Sequence, residues 1–119
     1  PVWAGQYFPT AAAPAAAAPA SGAPAFDAGA AFTAVCASCH GSAGNGDGPA
    51  AAALIPKPAP FTDPAFWAAR RGRDEDLVKA IRMGGASVGR STSMPAWGSL
   101  YSEPQARALL AFVKTLERR

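Results

Sequence analysis

The chain has 119 residues and a formal net charge of +3, a length that suggests one domain. Half of its residues are hydrophobic, yet no run approaches the ~20 apolar residues that cross a bilayer, so no transmembrane segment is expected within it. Its basic residues follow no pattern of stacking aromatics or known groove-reading motif, and nucleic acid is excluded as an expected partner.

The first 26 residues carry no charge, and all 19 acidic and basic side chains lie from Asp27 onward. "PVWAGQYFP" (Pro1 to Pro9) sets Trp3, Tyr7 and Phe8 on an uncharged segment. Aromatics with polar tips are residues that anchor interfaces. "TAAAPAAAAPASGAPA" (Thr10 to Ala25) spaces proline too closely for a helix and predicts an extended, polyproline-like linker. The expected organisation is an aromatic docking segment at 1–9, an Ala/Pro-rich linker at 10–26 and a globular part at 27–119. The chain starts at Pro1 and shows no signal peptide, so a leader or upstream anchor is expected to have been removed.

Asp27 is placed to cap a first helix that runs to about Ala37 with Phe32 and Val35 facing inward. That helix leads into "CASCH", which gathers both cysteines of the chain and its only histidine into five residues. A C-x-x-C pair fits a thioredoxin-like redox centre, half of a zinc site, a small-loop disulfide or a covalent haem attachment. The redox centre expects strand-like Val and Ile runs, and here alanine dominates. A structural zinc needs four ligands, and Cys36, Cys39 and His40 supply three with no further Cys or His in the chain. A disulfide between positions so close would constrain little of the unfolded chain. Haem attachment uses every residue: Cys36 and Cys39 bond the porphyrin vinyl groups and His40 ligates the iron.

"GNGDGP" (Gly44 to Pro49) follows as a loop. "TDPAFWAARRG" then reads as a short helix with Asp63 as N-cap, Pro64 at the first position and Gly72 as the stop. "DEDLVKAIRMGG" starts with three acids at the positive dipole end and stops at Gly84 and Gly85. Met83 at its end, beside Ile81, is expected to fill a gap in the core. "GRSTSMPAWG" is a loop that carries Met94 with Pro95 behind it. In the last helix Ser102 and Gln105 match a capping box, and Ala106, Leu109, Leu110, Val113 and Leu116 form one apolar stripe. Nothing reads as a strand. With a single histidine, the sixth iron position falls to Met83, Met94, a weaker donor or nothing.

The order of these motifs resembles a class I c-type cytochrome over about Asp27 to Arg119. Phe32 stands four before Cys36, as the aromatic of that family's first helix does. "GNGDGP", "SMPAW" and "PQARALLAFVKTL" then follow in the family's order. The resemblance implies an all-α fold of about four short helices around one covalent haem c. It points to Met94 as the second iron ligand and implies that a carbonyl of the Pro-containing loop, with Pro49 as the matching residue, accepts the other N–H of His40. Leu109 and Phe112 match the positions that pack on the first helix. One departure is visible: Ala28 stands where the family often has a glycine and Gly29 follows it, so a shifted or slightly wider helix crossing is expected. Trp97 is expected to reach a haem propionate, and Trp67 with Arg70 or Arg71 another.

A thioether favours ferrous iron and fills the last coordination site, which leaves gain or loss of one electron as the easy chemistry. The expected function is a one-electron carrier rather than an enzyme, since no second histidine is present to serve a reaction above the iron. A haem enzyme or gas sensor with an open sixth site, and a structural subunit with an incidental haem, are the competing classes. Expected partners are a redox donor and acceptor within a membrane-bound complex on the periplasmic side, with Lys57, Arg70, Arg71, Arg73, Lys79, Arg82 and Arg90 steering toward an acidic surface.

Overall fold

The computed structural model of the protein describes residues 25–118. The segment at 1–9 and nearly all of the linker at 10–26 lie outside them. Among the described residues the chain is helical, with no strand.

Asp27 caps the first helix by accepting from the Ala30 N–H at 3.0 Å. The helix proceeds as α1 (Ala28–Ala31), a π-helical turn (Phe32–Cys36) and α2 (Ala37–His40), so it reaches three residues beyond the expected end. A π turn inside an α-helix is rare and concentrates at functional sites; here it ends on the first cysteine. A 3₁₀ turn (Ala51–Ala53) follows the glycine loop. Helix α3 (Pro64–Ala69) has Asp63 as N-cap, accepting from the Ala65 N–H at 2.9 Å. Helix α4 (Asp74–Met83) carries its acids in the first turn and stops at Gly84, whose φ is 93°. A second 3₁₀ turn (Gly85–Val88) opens the methionine loop. Helix α5 (Glu103–Lys114) starts on the expected capping box, with Ser102 Oγ accepting from the Gln105 N–H at 3.3 Å and Gln105 Oε1 accepting from the Ser102 N–H at 3.0 Å.

The core is small. Phe32, Val78, Ala106, Leu109, Leu110 and Val113 are buried together, drawn from the first helix, α4 and α5. Leu116, expected at the end of the α5 stripe, is half-buried against this cluster. The terminal helices approach closely at Gly29: a Cβ there would lie 3.2 Å from the Phe112 ring. Phe112 meets Phe32 with ring centroids 5.4 Å apart. Outside the core, Arg107 joins α4 to α5 by a two-pronged pair with Glu75 at 2.8 and 2.9 Å, and Lys114 reaches Asp74 at 2.7 Å. These pairs are exposed, and such pairs contribute little to stability.

Met83 is not core. It is 60% exposed, because α4 turns its Val78 stripe inward and leaves position 83 outside.

Candidate functional site

The C-x-x-C-H segment sits on the last turns of the first helix, where four backbone carbonyls have no helical partner. The glycine loop supplies all four. Gly41 N–H donates to Ala37 O at 2.8 Å, Ala50 to Ser38 at 2.8 Å, Gly48 to Cys39 at 3.0 Å and Gly46 to His40 at 2.7 Å. The spacing of glycines in "GSAGNGDGPA" follows from this contact. A Cβ on Gly48 would enter the space of the Ser38 and Ala37 carbonyl oxygens, so only glycine allows the loop to lie against the helix end. The backbone of Cys39 and His40 is thereby held between the helix end and the loop.

His40 is half-buried, and its Nδ1 donates to the Ala59 carbonyl at 3.3 Å. This corrects the expectation placed on Pro49. Pro49 is exposed between the two capping residues Gly48 and Ala50, and its role is to shape the turn that brings their N–H groups to the helix. The acceptor comes from a second proline-containing stretch, "KPAPF", ten residues further on. Phe61 of that stretch stacks on the imidazole with centroids 4.5 Å apart and planes inclined by 18°. Phe61 is pinned on both sides: its N–H donates to Gly44 O at 2.7 Å, and its carbonyl accepts the Trp67 indole N–H at 2.8 Å. That last bond withdraws Trp67 from the expected propionate contact. Arg70 likewise stacks on Phe66, 3.9 Å from the ring centroid, and donates to the Phe66 carbonyl at 3.1 Å.

Burial pushes the Cys36 thiol up to about 11, with the neighbouring Cys39 adding to the effect. Burial pulls the His40 pKa down against the opposing pull of the Ala59 carbonyl, which favours the neutral ring. Both cysteines are free thiols. Among the described residues no three Cys, His, Asp or Glu side chains gather as a metal-binding group. A surface recess of about 550 Å³ beside Trp67, Arg70, Arg71 and Lys114 includes none of these thiols or the imidazole.

Met94 is half-buried in its loop, and Trp97 is half-buried three residues on. The Met94 carbonyl accepts from Gly85, and the Trp97 and Gly98 N–H groups donate back to Ile81 and Arg82 at the end of α4, both at 2.9 Å.

Residues 23–113 match the family model described as "Cytochrome C oxidase, cbb3-type, subunit III". The match covers well over half of the chain. The chain belongs to this family. No curated protein and no solved structure matches it. It is a class I c-type cytochrome domain, and the helical fold agrees. Such a domain binds haem c covalently and serves electron transfer. The residues present fit that group: two free thiols at i and i+3, and an imidazole whose Nδ1 is committed to a carbonyl, which leaves Nε2 as the nitrogen without that bond. Sequence reasoning missed Ala59 and Phe61. The repeated prolines around them, "PKPAPF", were the available signal.

Proposed function

We propose that the chain is a one-electron carrier in which Cys36 and Cys39 would attach one haem and His40 and Met94 would hold its iron. The observation that carries this reading is the tie of His40 Nδ1 to Ala59, which orients the ring and selects the nitrogen left for iron. Haem c held this way supplies reversible one-electron oxidation and reduction of its iron. The chain's own residues keep the imidazole in one tautomer and one orientation. Phe61 covers one face of the imidazole, Met94 would bar other molecules from the metal, and Trp97 would donate its indole N–H to a haem propionate. The reading further places the domain, residues 27–119, as a subunit of a membrane-associated oxidase on the periplasmic side, taking electrons from one redox protein and passing them to another. The segment at 1–9 docks on a neighbouring subunit, and a sixteen-residue extended linker reaches about 50 Å. Tethering of this kind holds the haem at high effective concentration near its partner. No helix among the described residues is long and apolar enough to cross a membrane.

Intact mass after acid denaturation tests the attachment: the polypeptide should carry one added haem, and Cys36→Ala with Cys39→Ala should abolish it. Bare polypeptide mass, or zinc in place of haem, ends the reading. Deleting Pro1 to Ala25 tests the tether. Association with the membrane complex should be lost while the haem spectrum is unchanged; a truncated protein that stays bound and turns over at the original rate refutes docking and leaves a freely diffusing periplasmic carrier.

A further inference from the structure

The segment carrying Met94 makes no helix of its own, so something else must fix where its sulfur lies. The end of α4 does so through backbone alone. The last carbonyls of α4 need partners from outside the helix. Gly84 N–H closes the helical ladder on Ala80 at 3.0 Å, and beyond it Trp97 donates to Ile81 at 2.9 Å and Gly98 to Arg82 at 2.9 Å. From the other side, Gly85 N–H donates to the Met94 carbonyl at 3.1 Å, while the Gly85 carbonyl accepts from Arg90 at 2.9 Å. Met94 therefore lies between two sets of bonds to one helix end.

Both sets depend on the absence of a side chain. A Cβ on Gly98 would lie 2.7 Å from the Arg82 carbonyl oxygen, inside contact distance of the group to which Gly98 itself donates. A Cβ on Gly85 would overlap the Ser91 carbonyl oxygen and stand 3.2 Å from the Met94 Cβ. Neither atom met is the far end of a flexible side chain, so the backbone on one side of the contact has to move.

We propose that Gly85 and Gly98 are positioning residues for the sixth ligand: they let the end of α4 grip the Met94 segment and set the depth of its sulfur. The inference rests on the assignment of Met94 as a ligand. A displacement well under a bond length in a thioether lengthens and weakens its bond to iron, which lowers the preference for ferrous iron and admits competing ligands.

The test uses haem-loaded Gly85→Ala and Gly98→Ala proteins beside Gly72→Ala. Gly72 has a φ of 79° with open space around its Cβ position, so its substitution strains the fold far from this contact. Both clamp variants should keep one covalent haem by mass. They should show a lower midpoint potential, a weakened ferric sulfur–iron charge-transfer band and CO association with the ferrous protein at least tenfold faster. Gly72→Ala should lower thermal stability and change none of the three. Clamp variants that match the unsubstituted protein in potential, band and CO exclusion overturn the proposal, as does a Gly72→Ala protein that shifts them equally. If a clamp variant does not accumulate, amide exchange of the unsubstituted holoprotein decides. The Gly85, Trp97 and Gly98 amides should be protected as strongly as CO is excluded, and free exchange at these amides with CO still excluded overturns the clamp. The underlying ligand assignment fails separately, through a Met94→Ala protein whose potential and CO exclusion are unchanged.

Discussion

The His40 and Met94 segments solve one problem in opposite ways. Each uses the unpartnered carbonyls at a helix C-terminus. His40 is on a helix, and a glycine loop closes over the helix end with four N–H donors. Met94 is on a loop, and a helix end holds the loop. The first arrangement adds a side-chain hydrogen bond to Ala59 and a stacked ring at Phe61, so His40 is fixed in both direction and tautomer. The second fixes only the backbone around Met94. The difference teaches that His40 is held in direction as well as in place, whereas the position of Met94 is set by a few backbone contacts and is the more easily changed.

The largest expected effect comes from breaking the Met94 side. Met94→Ala should lower the midpoint potential and open the ferrous iron to CO, read by redox titration and flash photolysis, while the covalent haem stays in place. An unchanged potential would assign the sixth position elsewhere. Breaking the His40 side at its loop comes next. Gly48→Ala forces a methyl against two helix carbonyls and should cost about 2–4 kcal/mol in urea unfolding of the holoprotein; a cost below ~0.5 kcal/mol would mean that the loop does not lie where its glycines put it.

The thiols sharpen the comparison in the haem-free protein. The Cys36 thiol is raised from 9.0 to about 11 because burial disfavours the thiolate. Its alkylation rate should therefore stay low through pH 9 and climb toward pH 11. The sign follows for stability as well: the unfolded thiol loses its proton first, so this group's contribution to apoprotein stability is present below pH 9 and lost as the pH rises toward 11. A reactivity midpoint at 9 would show that the site is open. The smallest effect is expected at Met83. With 60% of its surface exposed, Met83→Ala should change stability by no more than ~0.5 kcal/mol and leave the potential alone. A lowered potential in this variant would reverse the assignment of the two sulfurs.

The sequence by itself determined the chemistry and the ends of the helices. The thiol–thiol–imidazole spacing is local and uses up every candidate ligand in its segment. Asp27, Asp63 and the Ser102–Gln105 box act within three residues of themselves, so their caps were legible and are observed. The α5 stripe was legible for the same reason, since helical periodicity fixes which residues share a face. The tertiary structure decided what crosses between segments. Which carbonyl receives His40 depends on how two loops stack, and Ala59, nineteen residues from His40, is chosen over Pro49 because the nearer loop is already committed to the helix end. Whether Met83 faces core or solvent depends on the rotation of α4 against α5, a property of packing that one helix's pattern near its end does not settle. Glycine carries the remainder: at Gly48, Gly85 and Gly98 the residue is required by a neighbour's carbonyl, and only the folded chain brings that neighbour within reach.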